Sequence, residues 1–294
     1  MLLGRTDVKP DAPDYFGRTP LSSASGRGHD RVVQLLLGRG GVSPDMQDND
    51  GRTPLSWAVQ CGCHGVVELL LGREGVNPDL PDHDGRTPLS WAASNYYSQA
   101  EKAMKLLLGR ADVNPNMPGN RGRTLLLWAA SNYRCTIEKA IELLLGREDV
   151  NPNMPDKRGR TPFSWAASNY YSGGDNSVWL LLVREDVNPD MPDNGGRTPL
   201  SWAAENGNRG VAELLLGREG VNPNVPDKRG RTPLSWAARK GHDGVVGLLS
   251  GRAGVDPGIP NKGRLTLHLF ASRERGKQVV KPLLARKSAY PGPT

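Results

Sequence analysis

A Gly-Arg pair returns eight times along the chain, at Gly17, Gly51, Gly85, Gly122, Gly159, Gly196, Gly230 and Gly263, in steps of 34, 34, 37, 37, 37, 34 and 33 residues. In four of the eight copies it opens the phrase G-R-T-P-L-S-W-A, and the others keep variants of it. A fixed period of this length means that each copy is a small supersecondary unit, unable to bury its apolar face alone and therefore stacked on its neighbours. A length of 294 residues would by itself suggest two domains, but stacked repeats share one core, so the expectation is a single array. It divides into the tail of a partial repeat at 1–13, seven units at 14–47, 48–81, 82–118, 119–155, 156–192, 193–226 and 227–259, and a degenerate basic cap at 260–294.

One unit, read from Asp48, shows how the pattern becomes structure. Asp48-Asn49-Asp50-Gly51 is turn chemistry. Thr53 stands at an N-cap and Pro54 at the first helical position, where its missing N–H costs nothing. A first helix follows with Leu55 and Ala58 on one face and Trp57 on another, so that it must be covered on two sides. Cys61-Gly62-Cys63-His64 closes it and opens a second apolar helix through Val66, Val67 and Leu69 to Leu71, after which Val76-Asn77-Pro78 forces extended backbone. The unit reads turn, helix, loop, helix, extended return.

These residues resemble the ankyrin repeat, whose signature is T-P-L-H-x-A at a period near 33. T-P-L-S-W-A-A, G-x-x-G-V-A-E-L-L-L and V-N-P carry the likeness over essentially the whole chain, and the wording is similar to ankyrin arrays abundant in filamentous fungi. The resemblance implies an all-α solenoid of stacked helix-loop-helix repeats with hairpin-like β-turn connections. It also implies a concave face of turn tips and first helices that holds protein partners without catalysis. Departures exist: Ser56, Ser90, Ser164, Ser201 and Ser235 replace the family's histidine, Leu127 does so once, and Arg73 stands where the family has glycine, leaving open where the second helix ends.

Charge and cysteine content narrow the setting. The net charge of +7 resides in residues 260–294, leaving the array itself neutral. Three cysteines, Cys61, Cys63 and Cys135, without framework spacing, and no signal-peptide pattern, point to a reducing compartment, cytoplasmic or nuclear. No apolar run is long enough to span a membrane. The chain opens in the middle of a unit, suggesting a fragment whose parent carries an N-terminal signalling domain.

Among candidate functional residues, Trp57, Trp91, Trp128, Trp165, Trp202 and Trp236 recur once per unit. Their helical phase favours inter-repeat core over ligand stacking, with each truncation to Ala costing about 3–5 kcal/mol. Arg18, Arg52, Arg86, Arg123, Arg160, Arg197, Arg231 and Arg264 form a second row, fit either to grip an acidic partner segment or to pair between repeats with Asp48, Asp82, Asp156, Asp193 and Asp227. At the turn tips Asn49-Asp50, His83-Asp84, Asn120-Arg121, Lys157-Arg158, Asn194-Gly195 and Lys228-Arg229 vary while their surroundings are copied, which suits recognition or tolerated drift. Three added residues in each 37-residue unit fall near Tyr96, Tyr97, Tyr133, Tyr170 and Tyr171, tyrosines suited to an interface or to packing over a neighbouring loop. They are expected to lengthen the first helix or the loop rather than rotate the second helix.

Enzymatic, metal and cofactor constellations are absent from this reading. His29, His64 and His242 fall in structural loop positions, and Cys61-Gly62-Cys63 lacks a second pair. The expected function is therefore a non-catalytic scaffold for a protein partner, monomeric and off the membrane. A polyanion or nucleic-acid binder using the arginines and the basic end is the alternative, and a sensor fragment of a signalling protein is a third reading.

Overall fold

The computed structural model describes residues 9–94, 100–131, 135–169 and 174–259, with backbone alone at 94, 100, 135–137 and 174–175. Among the described residues there are 14 α-helices and no strand. They form seven pairs: α1 (Pro20–Gly26) and α2 (Asp30–Leu37), α3 (Pro54–Gln60) and α4 (His64–Leu71), α5 (Pro88–Ser94) and α6 (Ala100–Leu108), α7 (Leu125–Ser131) and α8 (Cys135–Leu145), α9 (Pro162–Ala167) and α10 (Gly174–Leu182), α11 (Pro199–Asn206) and α12 (Arg209–Gly217), α13 (Pro233–Lys240) and α14 (Asp243–Gly251). Two compact units emerge, one of residues 1–129 with 139–151 and one of residues 130–138 with 152–294. In the first, α1, α3 and α5 pack in succession and α2, α4 and α6 lie behind them; in the second, α9, α11 and α13 do so with α10, α12 and α14.

Each first helix starts where its sequence dictates. Thr53 has extended backbone, its hydroxyl accepts from the Ser56 N–H at 3.1 Å, and Pro54 opens the helix. The same cap recurs at Thr19, Thr161, Thr198 and Thr232. Such a cap contributes about 1 kcal/mol. The serine that follows T-P-L is buried, and its hydroxyl meets the threonine hydroxyl at 3.2 Å in the Thr53–Ser56 pair, so a small polar residue satisfies the cap without reaching further. Leu55, Ala58, Val59, Val66, Val67 and Leu70 are fully buried and constitute the core of that repeat.

The second helix ends at Leu71, with Gly72 as C-cap in right-handed helical backbone. The left-handed residue that turns the chain is Gly75, at φ +86°. The three added residues of the fourth repeat do not all enter the first helix or the loop as the sequence suggests. The helix α8 has 11 residues against eight in α4, and it begins at Cys135, three positions before the counterpart of His64. Addition at the N-terminal end leaves the register of the downstream apolar face untouched.

Between repeats, the extended return is pinned by a ladder of Asx side chains. Asn77 donates its N–H to Asp45 at 2.8 Å, Asn114 to Asp79 at 2.8 Å, Asn151 to Asn116 at 2.8 Å, Asn188 to Asn153 at 2.7 Å and Asn222 to Asp190 at 2.6 Å. Where the acceptor is Asn, its amide also donates onward: Asn116 to the Asp149 carbonyl at 2.7 Å, Asn153 to Asp186 at 2.7 Å and Asn224 to Gly254 at 2.6 Å. Where it is Asp, the second carboxylate oxygen is buried without a partner, at Asp45, Asp79 and Asp190. Burial pushes all three carboxyls above their usual value of 3.8.

An ionised Asp at these positions therefore costs stability. The cost is fully present above the raised folded value and is relieved as pH falls through it toward 3.8. Asp79→Asn should supply the missing donor and stabilise the first unit by about 1 kcal/mol at neutral pH. Urea unfolding at pH 7 and pH 4 checks this; the gain should shrink at the lower pH, and a destabilised variant at pH 7 would contradict it.

Candidate protein-binding surface

The turn tip is built around one buried carboxylate. Asp48 Oδ1 accepts the N–H groups of Asp50 at 3.0 Å and Arg52 at 2.9 Å, while Oδ2 accepts the indole N–H of Trp57 at 2.8 Å. The arrangement is repeated by Asp82 with Asp84, Arg86 and Trp91, by Asp156 with Arg158, Arg160 and Trp165, and by Asp193 with Gly195, Arg197 and Trp202. The turn closes through Gly51, whose N–H donates to the Asp48 carbonyl at 2.9 Å and whose φ is +80°, a conformation that favours glycine. In the last described repeat Asp227 instead accepts the Arg231 Nε at 2.8 Å, and the Trp236 indole N–H is buried without a hydrogen-bond partner. Burial alone would raise the Asp227 carboxyl, but the Arg231 and Arg229 N–H groups and the Arg231 guanidinium hold it below its usual value.

The tip arginines Arg18, Arg52, Arg86, Arg160, Arg197 and Arg231 lie back over the indoles of the first helices. Arg52 stands over the rings of Trp57 at 4.9 Å and of Trp91, one repeat on, at 4.7 Å. In the second unit Arg160 lies 3.8 Å from Trp165 and 4.0 Å from Trp202, and Arg197 lies 4.5 Å from Trp202 and 4.0 Å from Trp236. Indole and guanidinium thus alternate along each unit. The tryptophans are mostly half-buried, with Trp91 and Trp236 buried. What separates successive indoles is a cation, so the rings are not sandwiched directly on one another.

The architecture and the motif can now be set against known proteins. A model of ankyrin repeats, three copies long, matches residues 1–82, 64–156, 134–227 and 170–261. The chain belongs to the ankyrin repeat family. Its fold is similar to that of the ankyrin repeat protein EF0377, whose crystal structure shares 21% identity with it at a TM-score of 0.59 over 67% of this chain and 96% of that one. No curated protein matches the sequence.

Within this ankyrin framework the residues marked by the sequence separate into two groups. Asp50, His83, Asp84, Arg121, Lys157, Arg158, Lys228 and Arg229 are exposed at the tips. Asn49, Asn120 and Asn194 are exposed too, yet their amides donate to the carbonyls of Tyr15, His83 and Lys157 in the preceding repeat, at 3.1, 2.8 and 3.1 Å. Arg160 and Arg231 are buried, and Arg52, Arg86, Arg123 and Arg197 half-buried, so the arginine row is mostly internal to the ankyrin stack. Arginines pair with aspartates within a repeat, as Arg86 does with Asp82 at 3.3 Å and Arg231 with Asp227 at 2.8 Å. The tip backbone makes that pairing local, because the same Asp already holds the arginine N–H.

Tyr96, Tyr97, Tyr133, Tyr170 and Tyr171 lie outside the described residues, as does the basic segment 260–294. His242 serves the scaffold through a 2.9 Å hydrogen bond to the Glu205 carbonyl. Burial pushes the thiols of Cys61 and Cys63 up, away from thiolate chemistry at neutral pH. Two exposed apolar groups escape the repeat pattern. Tyr15 and Phe16 form an edge-on pair at the first tip, and Trp179 with Val183 lies on α10, where other repeats carry Glu68 and Gly72. Comparing Trp179 with Glu68, Lys105 and Glu142 at the equivalent position is the signal that finds it.

A further set of arginines caps second helices. Arg110 donates to the Leu71 carbonyl at 2.6 Å, Arg147 to Leu108 at 2.9 Å and Arg218 to Leu182 at 2.7 Å, each reaching back to the carbonyl end of the previous repeat.

If the alternating stack carries weight, Arg160 and Trp202 should be energetically coupled by about 1–2 kcal/mol in a double-mutant cycle of Arg160→Met and Trp202→Leu. Urea unfolding of the four proteins measures the coupling, and a value within error of zero would leave the stacking without energetic consequence.

Proposed function

We propose that this ankyrin array is a non-catalytic protein-binding scaffold whose contact surface is the row of turn tips and the exposed edges of the first helices. One observation carries the reading: side chains at the tips differ from repeat to repeat although the backbone holding them is fixed. The His83 N–H bonds the Asp50 carbonyl at 2.9 Å, Asn194 bonds Arg158 at 2.9 Å and Lys228 bonds Gly195 at 2.8 Å, so the tips are braced against one another. A braced backbone presents its side chains at low entropic cost on binding. Loops held by a rigid scaffold are where recognition concentrates.

The tips also differ in charge between the two units. In the first, Asp50 and Asp84 are exposed together with Arg121; in the second, Lys157, Arg158, Lys228 and Arg229 are. Electrostatic complementarity at such sites sets partner choice and association rate. A polyanion reading draws on the basic segment 260–294 and less on the arginine row, whose members are mostly engaged with indoles and carboxylates. Cytoplasmic or nuclear residence and a monomeric state complete the proposal, the former resting on the unpaired Cys61 and Cys63. Among the described residues, no helix is long and apolar enough to cross a membrane.

Reversal of Lys157, Arg158, Lys228 and Arg229 to Glu should leave thermal unfolding nearly unchanged while removing or replacing the proteins captured by the wild-type chain. Capture from cell extract, read by mass spectrometry beside a melting curve, is the measurement. An identical set of captured proteins would count against the tip surface. Retention on heparin that persists through physiological salt in a chain lacking 260–294 would favour the polyanion reading instead.

A further inference from the structure

The three tips of the second unit carry their exposed charge unevenly. Lys157 and Arg158 stand exposed on the first of them and Lys228 and Arg229 on the third, while the tip between presents Asn194 and Gly195. The carboxylates of these tips are turned inward. Asp156 and Asp193 each accept two backbone N–H groups and an indole N–H. Asp227 accepts the N–H groups of Arg229 and Arg231 together with the Arg231 guanidinium. No tip carboxylate is thus left to answer the four cations.

Other cations of the unit have carboxylate partners: Arg184 pairs with Asp186 at 2.7 Å, Arg197 with Glu205 at 2.5 Å and Arg209 with Glu213 at 2.7 Å. Among the described residues no ion pair joins Lys157, Arg158, Lys228 or Arg229 to an acid. The distance between the two basic pairs is set by the backbone. Asn194 donates its N–H to the Arg158 carbonyl at 2.9 Å and Lys228 its N–H to the Gly195 carbonyl at 2.8 Å, so the tips are tied in sequence. The helices that they lead into, α9, α11 and α13, pack in succession. Packed helices lie roughly 8–10 Å apart, which holds the basic pairs on the order of 16–20 Å from each other.

We propose that the second unit binds an acidic protein segment in extended form. The segment carries two clusters of Asp or Glu about five or six residues apart, the number of extended residues that spans this distance, and an uncharged stretch over Asn194 and Gly195. The assignment rests on the tip-surface reading above and adds the chemistry and spacing of the partner. A uniformly charged chain fits less well, because the charges that it lays over the middle tip meet no exposed cation there. One exposed ion pair contributes little by itself. Selectivity comes from engaging both clusters at once, since the second then binds at the effective concentration that its spacer sets.

Fluorescence anisotropy of the full chain with labelled peptides at low ionic strength tests this. One peptide carries two Glu-Glu pairs whose centres lie about six residues apart across a Gly-Ser spacer. A second has the same composition with its glutamates contiguous, and a thymidine oligonucleotide of equal charge is the third probe. The spaced peptide should bind about three- to tenfold tighter than the contiguous one. The basic segment 260–294 attracts both peptides, so the ratio of affinities, not either affinity, reports on the tips. The paired changes Lys157→Ser with Arg158→Ser, or Lys228→Ser with Arg229→Ser, should bring the ratio to unity. Gly195→Lys places a cation on the middle tip, where Arg158 and Arg229 stand in the flanking repeats, and should lower the ratio by tightening the contiguous peptide.

Equal affinity of the wild-type chain for the two peptides, or a ratio that survives either paired change, would overturn the assignment. So would an oligonucleotide that binds tighter than the spaced peptide and loses that advantage in both paired variants, which makes the row a nucleic-acid site. If reversal of the four cations changes the proteins captured from extract while the peptides show no spacing preference, the tip surface stands and the acidic segment falls. An unchanged captured set takes down the tip reading and the assignment with it.

Discussion

The contact between successive repeats centres on a guanidinium that lies over the indole of its own repeat and that of the next, as Arg52, Arg160 and Arg197 do. At four tips the aspartate binds the N–H of its arginine, and the same carboxylate anchors the indole of its own first helix. One side chain thus fixes both members of the stack before they meet the next repeat. Arginine suits the place, because its planar, weakly hydrated cation loses less on leaving water than an ammonium and matches the face of an indole. The result is a cohesive contact between repeats that needs little thickness of apolar core.

A thin core then has to be compensated elsewhere. The Asx ladder at the extended return and the arginines on second-helix carbonyls add further links between repeats. Both devices use groups that would otherwise be left over: backbone N–H groups of an irregular segment and the terminal carbonyls of a helix. The aspartates among the Asx acceptors do the job less well than the asparagines, since half of each carboxylate remains unsatisfied. Repeats of nearly identical wording therefore differ in local stability.

The period, the helix starts and the composition of the core were legible in the sequence because each is a local property. Thr53 and Pro54 announce a helix irrespective of what packs on it, and Leu55 and Ala58 share a face by spacing alone. The stack was only half legible. Helical phase sets Trp57 apart from Leu55, but nothing in the order of residues reveals that Arg52 leans over Trp91, 39 positions away. Adjacent to a turn glycine, Arg52 reads as a surface group. Its true position follows from Asp48, whose dual grip can be seen only when the turn and the helix are both in place.

The tip asparagines carry a second role that the sequence alone does not display. Asn49, Asn120 and Asn194 vary with their neighbours in the sequence, yet each spends its amide on a carbonyl of the preceding repeat, so variation there follows what brace the tip uses. Lys228 occupies the same position with its backbone bond to Gly195 intact, so that brace does not require an amide. The residue after it, as at Asp84, Arg121 and Arg229, is exposed in the structure. Side chains at the second tip position can therefore vary without disturbing the brace between repeats, which the backbone and the first-position residue supply.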